Sequence, residues 1–170
     1  LAAGNYFGWP SGLVLGETYG AVMTASPIGH YLVNSLLITL PAVAGALLLS
    51  CLAGFALATY RFRGNLALFF LFVASNFVPF QILMVPVRDL SLQLGLYDSV
   101  LGLILFHAGF QTGFCTLFLR NFIKQLPYEL VEAARVEGAS EWVIFHRVVL
   151  PLIRPALAAL AVLVFTFEIG

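Results

Sequence analysis

Four apolar stretches, divided by short polar ones, make up most of this chain. A helix needs about 20 apolar residues to cross a bilayer, and each stretch comes close to that length or passes it. The first covers residues 31–60 and holds no charged side chain. As one helix it would reach ~45 Å against a ~30 Å hydrocarbon core, so tilt or a bend near Pro41 must absorb the excess. Gly45, Ser50, Gly54 and Ala58 recur along it at roughly one-turn spacing, a stripe suited to close helix packing. The second stretch covers 66–87. Asn76 and Gln81 interrupt it, and Pro79 and Pro86 distort its outer half.

The third stretch covers 100–119. His107, Gln111 and Cys115 fall four apart and so share one helical face. A polar stripe inside an apolar span belongs against other helices or a water-filled path. Asn76, Gln81, His107 and Gln111 are therefore candidates for a translocation path, with helix packing as the plainer reading. The fourth stretch covers 148–167; Arg154 can snorkel to the surface and Glu168 marks the far end. Residues 1–30 are rich in glycine and proline. They read as a loop with a short interfacial helix, where Tyr6, Trp9 and Tyr19 suit a membrane surface.

Composition agrees with spanning helices. Of 170 residues, 61% are hydrophobic and 9% charged, and the mean hydropathy is +1.00. Soluble domains carry about a quarter charged residues, so the expected class is an all-α, polytopic membrane helix bundle. The formal net charge is zero, which suggests no nucleic-acid partner. Cys51 and Cys115 stand apart in apolar runs as buried thiols, and no metal site is expected. No phosphate-binding glycine loop is present and no catalytic constellation appears, so an enzyme is not expected.

Charge gathers instead around residues 120–147. Pro127 suits the start of a helix, and Glu129 and Glu132 lie near that start, where the helix dipole favours negative charge. Leu130, Val131, Ala133 and Ala134 form an apolar strip, and the small alanines let another surface approach. Gly138 breaks the helix, and Ser140 caps a second one running from Glu141 towards Val149. Pro151 then opens the next span.

Here the sequence resembles the permease subunits of ATP-binding-cassette importers. Glu132-Ala133-Ala134, then Gly138, then Leu150-Pro151, looks like their EAA loop. The fuller string, from Leu126-Pro127 through Glu132 to Glu137-Gly138-Ala139-Ser140, is similar to the carbohydrate-importer branch and its maltose-type second permease. Leu94-Gly95-Leu96-Tyr97-Asp98 resembles that branch too. The resemblance implies that Glu129, Glu132, Ala133, Ala134, Gly138 and Ala139 couple the chain to a separate ATPase. It also implies a second permease subunit, two ATPase subunits that carry ATP and Mg, and an extracytoplasmic solute-binding protein. No cofactor is expected in this chain.

Seven basic residues, Arg61, Arg63, Arg120, Lys124, Arg135, Arg147 and Arg154, fall on one side of the four spans and Arg88 on the other. The positive-inside rule makes the loop cytoplasmic and puts residues 1–30 and Gly170 outside. The expected place is the cytoplasmic (inner) membrane of a bacterium or archaeon. The chain begins at Leu1 and ends within an apolar pattern, which reads as a fragment lacking a span at each end. The absence of Lys or Arg in mid-span favours a neutral sugar as cargo. An importer for glycerol phosphate or another small polar solute is the alternative, and a channel or scaffold a further one.

Overall fold

The computed structural model describes residues 27–169 together with Gly16, Tyr19 and Gly20. Tyr6 and Trp9, expected at the membrane surface, lie outside the described residues. The chain divides into two units at Asn34 and Ser35. In the first, Asn34 Nδ2 stands 3.2 Å from His30 Nε2, one turn away.

All described secondary structure is helical. Helix α1 is Ile28–Thr59, α2 Asn65–Ser75, α3 Phe80–Gln93, α4 Val100–Ile123 and α5 Tyr128–Val136. Helix α6 runs through Glu141–Ile169. Helices α1, α4 and α6 are each long and apolar enough to cross a membrane. The core is built from the buried faces of α1, α4, α5 and α6, with Phe55, Leu119, Val131, Phe145 and Ile153 among its members. Leu40, Leu48 and Leu49 of α1 stay exposed, as lipid-facing positions should.

Close approach explains the small residues of α1. Ser50 Oγ donates to the Thr112 carbonyl of α4 at 3.2 Å. A Cβ on Gly54 would stand 3.2 Å from both Leu119 Cβ and the Arg120 backbone nitrogen. Without a strong hydrophobic drive between helices in lipid, such backbone contact supplies the packing energy.

The second stretch departs from expectation. It is two helices, α2 and α3, bent by 101° at residues 76–79, rather than one distorted span over 66–87. At 1.5 Å per residue, the 11 residues of α2 cover only ~16 Å, too little to cross alone. The pair counts as a fourth span only if both halves are taken together. Pro79 forces the break, because it lacks an N–H and pushes Val78 out of helical geometry. The Asn76 side chain helps by bonding the Phe72 carbonyl at 2.9 Å, which competes with the main chain. Helix α3 then continues to Gln93, so Arg88 and Asp89 lie on a helix, past the expected end of the stretch at residue 87.

The last span also differs. The second loop helix does not stop before Pro151; it merges with the span through a π-helical turn, Phe145–Val149. The Leu150 N–H reaches back five residues to the Phe145 carbonyl. Proline inside a helix removes a donor and crowds the carbonyl four residues earlier, here that of Arg147. Widening the turn accommodates both.

Replacing Gly54 with Leu should therefore push α1 from α4 and cost ~1–3 kcal/mol of stability. Thermal unfolding of the purified protein in detergent would show the drop. An unchanged midpoint would mean that the contact carries no energy.

Candidate functional site

The loop between α4 and α6 is folded by its own local signals. Pro127 precedes α5, Glu129 sits in its first turn and Arg135 in its last, all in accord with the helix dipole. Gly138 has φ +82°, left-handed backbone that costs a residue with a Cβ about 1–2 kcal/mol. Its N–H bonds the Arg135 carbonyl at 2.9 Å, and the Ala139 N–H bonds that of Ala134 at 3.0 Å. This paired arrangement closes the end of α5 as a Schellman motif. Ser140 Oγ then accepts from the Val143 N–H at 3.4 Å and caps α6.

A polar clamp holds the loop to the end of α1. Arg135 Nε donates to Glu141 Oε1 at 2.7 Å, and Arg135 Nη2 to Glu141 Oε2 at 3.1 Å. Tyr60 Oη donates to Glu141 Oε2 at 2.8 Å. Arg135 Nη1 reaches Tyr128 Oη at 3.1 Å. Two-point arginine–carboxylate pairing fixes orientation as well as distance. The hydrogen bond to Glu141 raises the Arg135 guanidinium above its ordinary range. Burial, then the Glu141 carboxylate beside it, push the Tyr60 phenol up to about 12.

Helix α5 has two faces. Val131 is buried, and Ala134 and Ala139 pack against the core. Glu129, Glu132 and Ala133 are exposed, together with Leu130 and with Val136, which is 88% exposed. The two alanines thus part company: Ala133 faces outward, while Ala134 seats the helix. Gly138 is exposed and makes the turn. Arg135, Glu141 and Tyr60 escaped the sequence reading as partners. The capping signals mark Glu141 as the start of a helix, but nothing local announces its bond to a tyrosine 81 residues away.

Arg120 is a second surprise. It was placed among the basic residues flanking the third span, but it is 6% exposed. Its Nε donates to the Leu57 carbonyl at 3.4 Å, and its guanidinium lies 3.7 Å from the centre of the Phe69 ring. It joins the end of α1 to α2 and α4.

The four candidate path residues differ in their surroundings. Asn76 and Gln81 are exposed, and Gln111 is buried in α4. His107 Nδ1 meets a carboxylate oxygen of Glu168, whose side chain is only 4% exposed. Glu168, read as marking the far end of its span, thus joins α6 to α4. Cavities of about 460 and 430 Å³ lie beside α4, but neither is lined by any of the four. Thr116 Oγ1 is buried in α4 without a hydrogen-bond partner. Among the described residues, no three His, Cys, Asp or Glu side chains gather as a metal site would need.

Gly138→Val should cost about 1–2 kcal/mol through its backbone conformation alone, because open space surrounds the position. Thermal unfolding would read the loss. A midpoint equal to that of the parent would contradict the left-handed turn.

The comparisons with known proteins follow this geometry. Residues 33–170 match the family described as the binding-protein-dependent transport system inner membrane component. The osmoprotective compounds uptake permease protein GgtD of Synechocystis sp. is 39% identical over 147 residues, 86% of this chain and 49% of that protein. The alpha-glucoside transport system permease protein AglG of Rhizobium meliloti is 35% identical over 154 residues, 88% of this chain and 40% of that protein. A solved bacterial ABC transporter involved in import of the acidic polysaccharide alginate is 26% identical with a TM-score of 0.71. The match covers 80% of this chain and 47% of that one. The chain therefore spans about half or less of the length of these relatives. It belongs to the family of binding-protein-dependent transport system inner membrane components.

Proposed function

We propose that this chain forms part of the translocation path of an ATP-driven importer for a sugar or oligosaccharide, and couples that path to a separate ATPase. The observation that carries this reading is the loop. Helix α5 presents Glu129, Glu132 and Ala133 outward, while its inner face and the Arg135–Glu141–Tyr60 clamp tie it to the bundle. An element that is exposed on one face and firmly jointed on the other can pass a push into α1 and α6. ATPase closure would then bias the bundle between two arrangements. Among the described residues Glu132 forms no ion pair, so its carboxylate is available to a basic group on the ATPase.

In this reading, ATP and Mg belong to two partner ATPase subunits. A second permease subunit completes the path, and an extracytoplasmic solute-binding protein delivers the cargo. The loop lies on the cytoplasmic side of a bacterial or archaeal inner membrane. Relatives named for alpha-glucoside and arabinooligosaccharide transport support a saccharide cargo. The 39% identity to an osmoprotective-compound permease favours a small polar osmolyte as the second reading.

Cysteines placed at Ala133 and, separately, at Ala134 test the coupling face. With the cognate ATPase carrying cysteines around its docking cleft, Ala133→Cys should give a disulfide adduct that changes with ATP, and Ala134→Cys should give little. Equal adducts at both positions, or none at Ala133 in folded complex, would refute the assignment. Uptake of labelled oligosaccharide against labelled osmolyte in the same vesicles separates the two cargoes.

A further inference from the structure

Beside the turn from α1 to α2 lies a cavity of about 870 Å³. Leu57, Ala58, Leu66 and Ala67 contribute apolar wall, while Arg61, Arg63 and Lys124 supply three positive charges. Among the described residues no aspartate or glutamate lines it. Among the described residues none of the three cations has an ion pair or side-chain hydrogen bond, unlike Arg120 and Arg135, which are both committed elsewhere. The turn that displays Arg61 and Arg63 is itself fixed. Gly64 has φ +92°, and Asn65 Nδ2 donates to the Leu57 carbonyl at 3.1 Å and the Tyr60 carbonyl at 2.9 Å.

We propose that this cavity binds an anionic phosphate group, supplied by a phospholipid headgroup. Arg61, Arg63 and Lys124 are exposed, and three like charges around one hollow concentrate positive potential there, which an anion seated between them would relieve. The level in the bundle favours lipid as the source. Helix α1 ends at Thr59 and α4 at Ile123, so the cavity opens where two membrane-crossing helices leave the apolar layer. Basic pockets at that depth recognise anionic headgroups, and the apolar wall can receive the first carbons of an acyl chain. Tyr128 of α5 also lines the cavity, so the lipid would touch the helix that carries the coupling face. The inference rests on the cytoplasmic orientation given above and not on any cargo or ATPase.

The test uses the full-length protein in phosphatidylcholine nanodiscs doped with phosphatidylglycerol, with retained lipid read by native mass spectrometry. Phosphatidylglycerol should stay bound to the parent and bind on the order of 100-fold more weakly to R61Q/R63Q/K124Q. Each single change, such as R63Q, should weaken it about 5-fold, which keeps the test valid if the triple variant folds poorly. The charge-keeping R61K/R63K should restore retention, and R88Q should not alter it. Equal retention by parent and single variants would overturn the proposal. Displacement of the lipid by inorganic phosphate at millimolar level would overturn the lipid source. So would unchanged lipid binding combined with lost ATPase binding in the triple variant, since the occupant would then be protein.

Discussion

The carboxylate of Glu141 is where the end of α1, helix α5 and the start of α6 meet. It accepts two bonds from Arg135 on α5 and one from Tyr60 at the end of α1, and it stands in the first turn of α6. Two neighbouring elements and a third brought from 81 residues away thus share one charged group. Phe145, one turn further along α6, packs 5.2 Å from Phe55 and 5.7 Å from Trp142, measured between ring centres. Each such aromatic pair adds ~0.5–1.5 kcal/mol beyond the area it buries. The clamp sets direction and the aromatic contacts set depth.

The same economy governs the membrane part. Apolar surface gains little by moving from lipid to protein, so shape and hydrogen bonds must hold the helices together. Gly54 against Leu119, Ser50 on the Thr112 carbonyl, and Arg120 on the Leu57 carbonyl are the links between α1 and α4. Arg120 is tolerated inside because a carbonyl and the Phe69 ring replace part of its water. The break between α2 and α3 stands outside this core: α2 buries only Phe69 and α3 buries no residue. Helix α3 is thus joined loosely, whereas α2 is held against α4, with Ser75 and Phe72 beside Gly113 and Phe69 under Arg120.

What was legible in the sequence was local. The helical class follows from the apolar runs, and the shape of the loop follows from Pro127, Gly138 and Ser140, each of which acts on its immediate neighbours. The clamp was not legible, because Tyr60 and Glu141 are brought together only by the packing of α1 on α6. The inward turn of Ala134 depends on one helical register that Ala133 and Ala134 do not reveal by themselves. The continuous α6 was hidden for another reason. Pro151 usually opens a helix, and only a widened π turn lets the chain pass it without a break. Glu168 looked like a surface marker, but its partner His107 lies on another helix.

Glu141 fixes the loop between α4 and α6 to the bundle, and backbone hydrogen exchange of α5 tests this most directly. Glu141 is 43% exposed as a side chain, so the clamp is worth only about 1 kcal/mol after solvent screening. In Glu141→Gln the amides of α5 should then exchange roughly 5-fold faster, while those of α4 keep the parent rate. Unchanged exchange across α5 would show that the apolar seat of Val131 and Ala134 holds the loop alone, and that the clamp is not its joint.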